Sequence, residues 1–302
     1  MEQQKIEFKR YRDFGQIINA TFEFIRQNFG PLLKSLIFIV GPFLLITGIV
    51  SGFYQKSIFS FSNLTSLSGF GISMLVFILA AFLTLQMMTS TVYSFLMIYF
   101  ERTVFIPIQI EEVWEGVKKN FLKVLGMTLS LGLIAFIGII IFGVFVVVVI
   151  NAASNPFLVF FFFLLLFFPA AFLYIKISLV YIITIYENAG VIASIQRSFY
   201  LTKNKWWFTF GLVLVLSLIQ GFMGFVFQIP QYIITFVTMF NSMDGTGVDG
   251  VTEIIILITS IISTLQYLLY AISFIGIAFY YFSLVEQKEA KGLIEKIDSI
   301  QL

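Results

Sequence analysis

Six stretches of this chain contain no Asp, Glu, Lys or Arg: 35–55, 57–100, 124–175, 177–186, 206–243 and 254–285. Together they make up about two-thirds of the 302 residues. A helix needs roughly 20 apolar residues to cross a hydrocarbon core about 30 Å thick. The run 57–100 opens with a polar piece, Ser57 to Ser68, and leaves one span near 71–99. The run 124–175 is interrupted by Asn151-Ala-Ala-Ser-Asn-Pro156 and holds two. The pattern predicts an all-α polytopic membrane protein with helices near 35–54, 71–99, 122–149, 157–185, 207–239 and 254–284. A transmembrane β-barrel would show short alternating segments instead.

Composition agrees. Apolar residues are 59% of the chain and charged ones 11%, where about 25% charged is usual for a soluble domain. A soluble fold of this size could not bury so much apolar surface. Disordered chains are rich in charge and poor in aromatics, the reverse of this sequence.

The basic residues set an orientation. Residues 1–34 carry Lys5, Lys9, Arg10, Arg12, Arg26 and Lys34, and the link between the second and third helices carries Arg102, Lys118, Lys119 and Lys123. Arg197, Lys203 and Lys205 lie between the fourth and fifth, and Lys288, Lys291 and Lys296 in the tail. Sixteen of the 18 basic residues thus fall on one side, which the positive-inside rule makes cytoplasmic, with both termini. The first apolar run begins near residue 35 and is too long for the apolar segment of a signal peptide.

Chemistry is sparsely equipped. The chain has no Cys and no His, so disulfides, thiolate nucleophiles and the commonest acid–base and metal-binding residue are missing. Neither a Walker pattern nor a nucleophile elbow with partners is present. No enzyme activity, cofactor or metal is therefore expected. The basic segments each abut a span, a pattern that fits lipid and not nucleic acid.

Each pair of spans follows an amphipathic stretch on the cytoplasmic side. In the first, Phe14, Ile18, Phe22, Ile25 and Phe29 recur at helical spacing, and Asp13 with Gln16 can form a capping box. The second, after Pro107, has Ile110, Val113, Trp114, Val117 and Phe121 on one face. Its Glu111, Glu112 and Glu115 come early and its Lys118, Lys119 and Lys123 late, the order the helix dipole favours. The third, from Asn188, carries Val191, Ile192, Ile195 and Phe199. Asn28, Asn120 and Asn204 each stand at the junction with the next span. The chain reads as a single membrane domain, 1–302, of three helical hairpins, each preceded by an amphipathic helix. The repeat boundaries are 13–100, 107–186 and 188–285, followed by an amphipathic tail, 286–302.

All three tryptophans, Trp114, Trp206 and Trp207, lie in these links, where indole anchors at headgroup level. With Arg197, Lys203 and Lys205 they form the expected lipid-headgroup anchor. Lys176, the one charged residue within the fourth span, follows twenty uncharged residues from Pro156 and can snorkel to the same level beside Tyr174 and Tyr181. Gln86, Gln220 and Gln266 are expected to hydrogen-bond between helices, since an amide in hydrocarbon needs a partner. Pro230 within Gln228-Ile-Pro-Gln231 is expected to end the fifth span early, leaving 231–240 as a separate outer helix.

The stretch Ser194-Ile-Gln-Arg-Ser198-Phe-Tyr-Leu-Thr202-Lys-Asn-Lys-Trp206-Trp207 resembles part of the membrane domain attached to some glycerophosphodiester phosphodiesterases. It is also similar to stand-alone bacterial six-span membrane proteins of uncharacterised function. The resemblance implies the six-span architecture and a bacterial cytoplasmic (inner) membrane. It does not imply phosphodiesterase activity, which in those enzymes belongs to a separate soluble barrel with histidines and metal-binding carboxylates.

Two functional expectations follow. The first is a non-catalytic membrane subunit or scaffold organising anionic lipid or a partner protein at the cytoplasmic face. The alternative is a transporter or channel for an apolar or lipid-like substrate.

Overall fold

The computed structural model describes residues 5–59, 67–102, 107–152, 168–243, 250–290 and 294. Among these, all regular structure is helical, and six helical segments are long and apolar enough to cross a membrane. The helices are α1 (Phe14–Ser35), α2 (Gly41–Phe59), α3 (Leu67–Glu101), α4 (Ile110–Ala152), α5 (168–176), α6 (Val180–Tyr186), α7 (Val191–Leu201), α8 (Trp206–Met243), α9 (Gly250–Thr264) and α10 (Tyr270–Glu289). The start of the predicted fourth span, residues 244–249 between the fifth and sixth spans and most of the tail lie outside the described residues.

The first amphipathic stretch is set off from its span by a kink at Asn28, where the backbone leaves helical geometry (φ −113°, ψ 16°), whereas the second is continuous with the third span. The capping box forms, with the Gln16 N–H donating to Asp13 Oδ1 at 2.8 Å and the Asp13 N–H to Gln16 Oε1 at 3.2 Å. From there α1 runs into the first span through a π-helical turn, Leu36–Val40. Two prolines shape that passage. Asn28 leaves helical geometry one turn ahead of Pro31, and the π turn lies ahead of Pro42. Proline lacks the N–H and crowds the carbonyl four residues back. In α4, which contains no proline, the link continues unbroken into the third span for 43 residues, about 65 Å at 1.5 Å per residue. The third stretch, α7, is a helix of its own. Asn204 adopts a left-handed φ of 63° in the turn before α8, a conformation asparagine tolerates better than most residues.

Pro230 does not end the fifth span. Helix α8 passes through it to Met243, and Gln231, Ile234 and Thr238 beyond it share a buried face. The sixth span is interrupted, because the backbone tightens to a 3₁₀ turn at Leu265–Leu269 between α9 and α10. The segment assigned to the tail from 286 begins inside α10.

The chain forms two compact units that interleave along the sequence and cut across the repeat boundaries. The first comprises Met1–Ile6, Ile18–Phe121 and Leu214–Gly276. Here α2 packs antiparallel between α3 and α9. Thr47 and Thr84 share a hydroxyl hydrogen bond at 2.7 Å, and the Thr264 hydroxyl donates to the Leu44 carbonyl at 3.2 Å. Gly48 and Gly52, four residues apart, lie directly against Ile261 and Leu257 of α9. Small residues at this spacing let helix backbones approach closely in lipid. Phe24 of α1 meets Phe95 and Tyr99 of α3 edge-on.

The second unit comprises Glu7–Ile17, Leu122–Val213 and Ile277–Leu302. Phe8 stacks on Phe279 at 4.9 Å and meets Phe282 edge-on. Ser283 Oγ accepts from the Arg12 N–H at 2.9 Å and donates to the Arg12 carbonyl at 3.0 Å, fixing the N-terminal segment to α10.

Candidate functional site: a charged clasp around α7

The stretch that carries the family resemblance folds as α7 and the turn after it, inside the second unit. The buried line of α7 is Ser194, Ser198, Leu201 and Thr202, offset from the apolar stripe Val191, Ile192, Ile195 and Phe199 read from the sequence. Ile192 is largely exposed. Small hydroxylated residues win the buried side because they permit close approach and make bonds across it. Thr184 Oγ1 of α6 donates to Ser194 Oγ at 3.0 Å, and Ser198 Oγ donates to the Lys176 carbonyl at 2.5 Å.

Arg197 sits at the centre. Its Nε donates to Glu187 Oε1 at 3.0 Å, and its two terminal nitrogens form a bidentate pair with Glu289 of α10, Nη2 to Oε2 at 2.9 Å. Tyr281 donates its hydroxyl to the same Glu187 oxygen at 2.6 Å. One guanidinium therefore joins three pieces of chain: the end of α6, α7 and the end of α10. The hydrogen bonds to Glu289, reinforced by those to Glu187, raise the Arg197 pKa above its ordinary value despite the opposing effect of burial. The planar five-donor fork is suited to holding two carboxylates at once.

Lys176 is only 8% exposed. Its ammonium donates to the Thr202 carbonyl at 3.1 Å and lies 5.7 Å from the centre of the Phe172 ring. Lys288 donates to the Tyr200 carbonyl and lies 4.7 Å over the Tyr200 ring. Lys203 is exposed and Lys205 half-buried.

The tryptophans divide. Trp207 is 77% exposed. Trp206 is stacked between Phe172 and Phe210 with Trp207 edge-on, and its buried Nε1 has no hydrogen-bond partner among the described residues. Trp114 stands on α4, in the other unit from the clasp, and is 43% exposed.

Of the three glutamines expected between helices, Gln220 on α8 accepts from Ser273 on α10 at 2.7 Å. Gln86 is buried in α3. Gln266 lies beside Gly224, its amide oxygen 3.5 Å from where a β-carbon there would stand. A fourth site went unread. Gln231 donates to Gln55 Oε1 of α2 and accepts from Ser260 Oγ of α9 at 3.2 Å. Its signal in the sequence was the helical spacing of Gln231, Ile234 and Thr238, which the supposed break at Pro230 obscured. Gly48 and Gly52 were missed too, although they form the Gly-x-x-x-Gly spacing that Gly221 and Gly224 lack.

Among the described residues, no group of three or more His, Cys, Asp or Glu is placed to hold a metal ion. No family model, curated protein or solved structure matches the chain, so the resemblance of 194–207 rests on its own residues.

Proposed function

We propose that this chain is a non-catalytic subunit or scaffold of the bacterial cytoplasmic membrane, with both termini cytoplasmic, that organises anionic lipid or a partner protein at that face. The observation carrying this reading is the turn between α7 and α8. There an exposed Trp207 stands beside an exposed Lys203 and a half-buried Lys205 at the very start of a span. An aromatic ring with basic neighbours at a helix end fits the headgroup layer. The amphipathic links add exposed positions such as Trp114 and Glu115 on the same side of the topology. A photo-cross-linker at Glu115 or Glu295 in whole membranes should capture a specific protein or anionic lipid. If it captures neither, while the purified chain in liposomes moves a solute, the scaffold reading fails.

The second reading, a transporter or channel for an apolar or lipid-like substrate, is favoured by the Gln55–Gln231–Ser260 cluster. Three helices converge there on polar groups within the spans. Flux of a fluorescent lipid across proteoliposomes, reduced by Gln231→Leu, is its test.

A further inference from the structure

Five cations gather around residues 200–205, all within the second unit: Lys176, Arg197, Lys203, Lys205 and Lys288. Two of them bracket the backbone of the turn. Lys176 binds the Thr202 carbonyl at 3.1 Å, while Lys288 binds the Tyr200 carbonyl and reaches the Lys203 carbonyl at 3.5 Å. Arg197 stands 5.7 Å from the centre of the Tyr200 ring whose face Lys288 covers. Burial, and after it the positive charges of Lys176, Lys203, Lys205 and Arg197, disfavour the charged form of Lys288. Glu187 and Glu289 are both engaged with Arg197.

Like charges held this close repel one another, and a group of the opposite sign placed among them relieves that repulsion. The cluster lies at the N-terminus of the 38-residue α8, whose dipole adds positive potential at the same place. The flanking rings of Tyr200 and Trp207 are exposed, which gives an apolar tail beside the anion somewhere to rest.

We infer that this cluster is a binding site for a phosphate monoester dianion, with Lys203, Lys205 and Lys288 as its ligands and Lys176 setting the turn. Phosphatidic acid carries such a group in the membrane, and inorganic phosphate in solution presents the same dianionic phosphate without the ester. The inference rests on the proposed lipid-organising face and narrows it to one headgroup chemistry at one place.

The test uses the purified full chain in mild detergent, titrated with dioctanoyl phosphatidic acid or dioctanoyl phosphatidylcholine and read by native mass spectrometry. The wild-type chain should bind the phosphatidic acid in preference. The double variant Lys203→Gln/Lys205→Gln, whose side chains make none of the bonds described above, should lose about thirtyfold in affinity at roughly one basic contact each. Lys288→Gln should weaken binding, and Lys288→Arg should restore it. Lys118→Gln/Lys119→Gln removes the same charge from α4 and should change little. Competition by millimolar inorganic phosphate would identify the site's occupant as a soluble phosphate, and its absence would identify the lipid. Equal weakening by the α4 pair overturns the site but leaves the lipid-organising face standing. Equal binding of the two lipids by the wild-type chain overturns both.

Discussion

Arg197 shows how one side chain can change role between sequence and structure. A basic residue in a basic link is expected to face lipid, yet this one is held by Glu187 and Glu289, and about 20% of its side chain is exposed. Neither carboxylate is its sequence neighbour. Glu187 precedes it by ten residues and Glu289 follows it by 92. Removing the guanidinium would leave two half-buried carboxylates without their cation, which costs more than the pair itself contributes. Arg197→Met is expected to lower unfolding stability by about 2 kcal/mol, and Arg197→Lys by about 1 kcal/mol, since an ammonium cannot serve both acids. Thermal unfolding in detergent measures both. A variant Arg197→Met as stable as the wild type would remove the clasp from the account. Glu289→Gln in the same background should add little to Arg197→Met, because the two share one interaction.

At the scale of the element, the glycine-lined pair α2 and α9 offers a sharper comparison. A β-carbon on Gly48 would fall 2.7 Å from the Ile261 Cα, and one on Gly52 would fall 2.6 Å from a Leu257 methyl and 3.2 Å from its Cα. The Ile261 obstruction is backbone and cannot swing aside, so α2 and α9 must separate. Gly48→Ala is expected to cost about 1–3 kcal/mol, the range for overpacking. Gly52→Ala should cost less, since the nearest atom is the end of a flexible side chain. Gly126→Ala on α4 meets nothing within 4 Å and should be neutral or stabilising by up to about 1 kcal/mol from helix propensity. Melting temperatures of the three variants should therefore rank Gly126→Ala highest and Gly48→Ala lowest. Any other order would mean that α2 and α9 do not meet through these glycines.

For the whole molecule, the natural absence of cysteine makes topology directly measurable. Single substitutions Ser62→Cys, Asn155→Cys and Asp244→Cys should react with an impermeant maleimide added outside intact cells. Gln4→Cys, Lys119→Cys, Asn204→Cys and Ser299→Cys should react only after permeabilisation. Labelling at 204 in intact cells would place the lysine-rich turn outside and end the six-span arrangement with cytoplasmic termini. That arrangement rests on charge asymmetry in the links, which acts during insertion and is a property of sequence position alone.

The division between what was legible and what was not follows from the range of each interaction. Six apolar helices, the capping box at Asp13 and Gln16 and the basic links could be read directly, because hydropathy, capping and charge bias depend on residues within a few turns of one another. Helix continuity was harder. A proline is visible in sequence, but Pro31 and Pro42 redirect a helix while Pro230 is carried within one, and what surrounds each ring decides between those outcomes. The side of α7 that packs on the protein was not legible, because its apolar stripe can equally face lipid while Ser194 and Ser198 permit the close approach. Partner choice was out of reach altogether. Arg197 with Glu289, Gln231 with Gln55 and Gly48 with Ile261 join positions far apart in the chain, and only tertiary packing brings them within bonding distance.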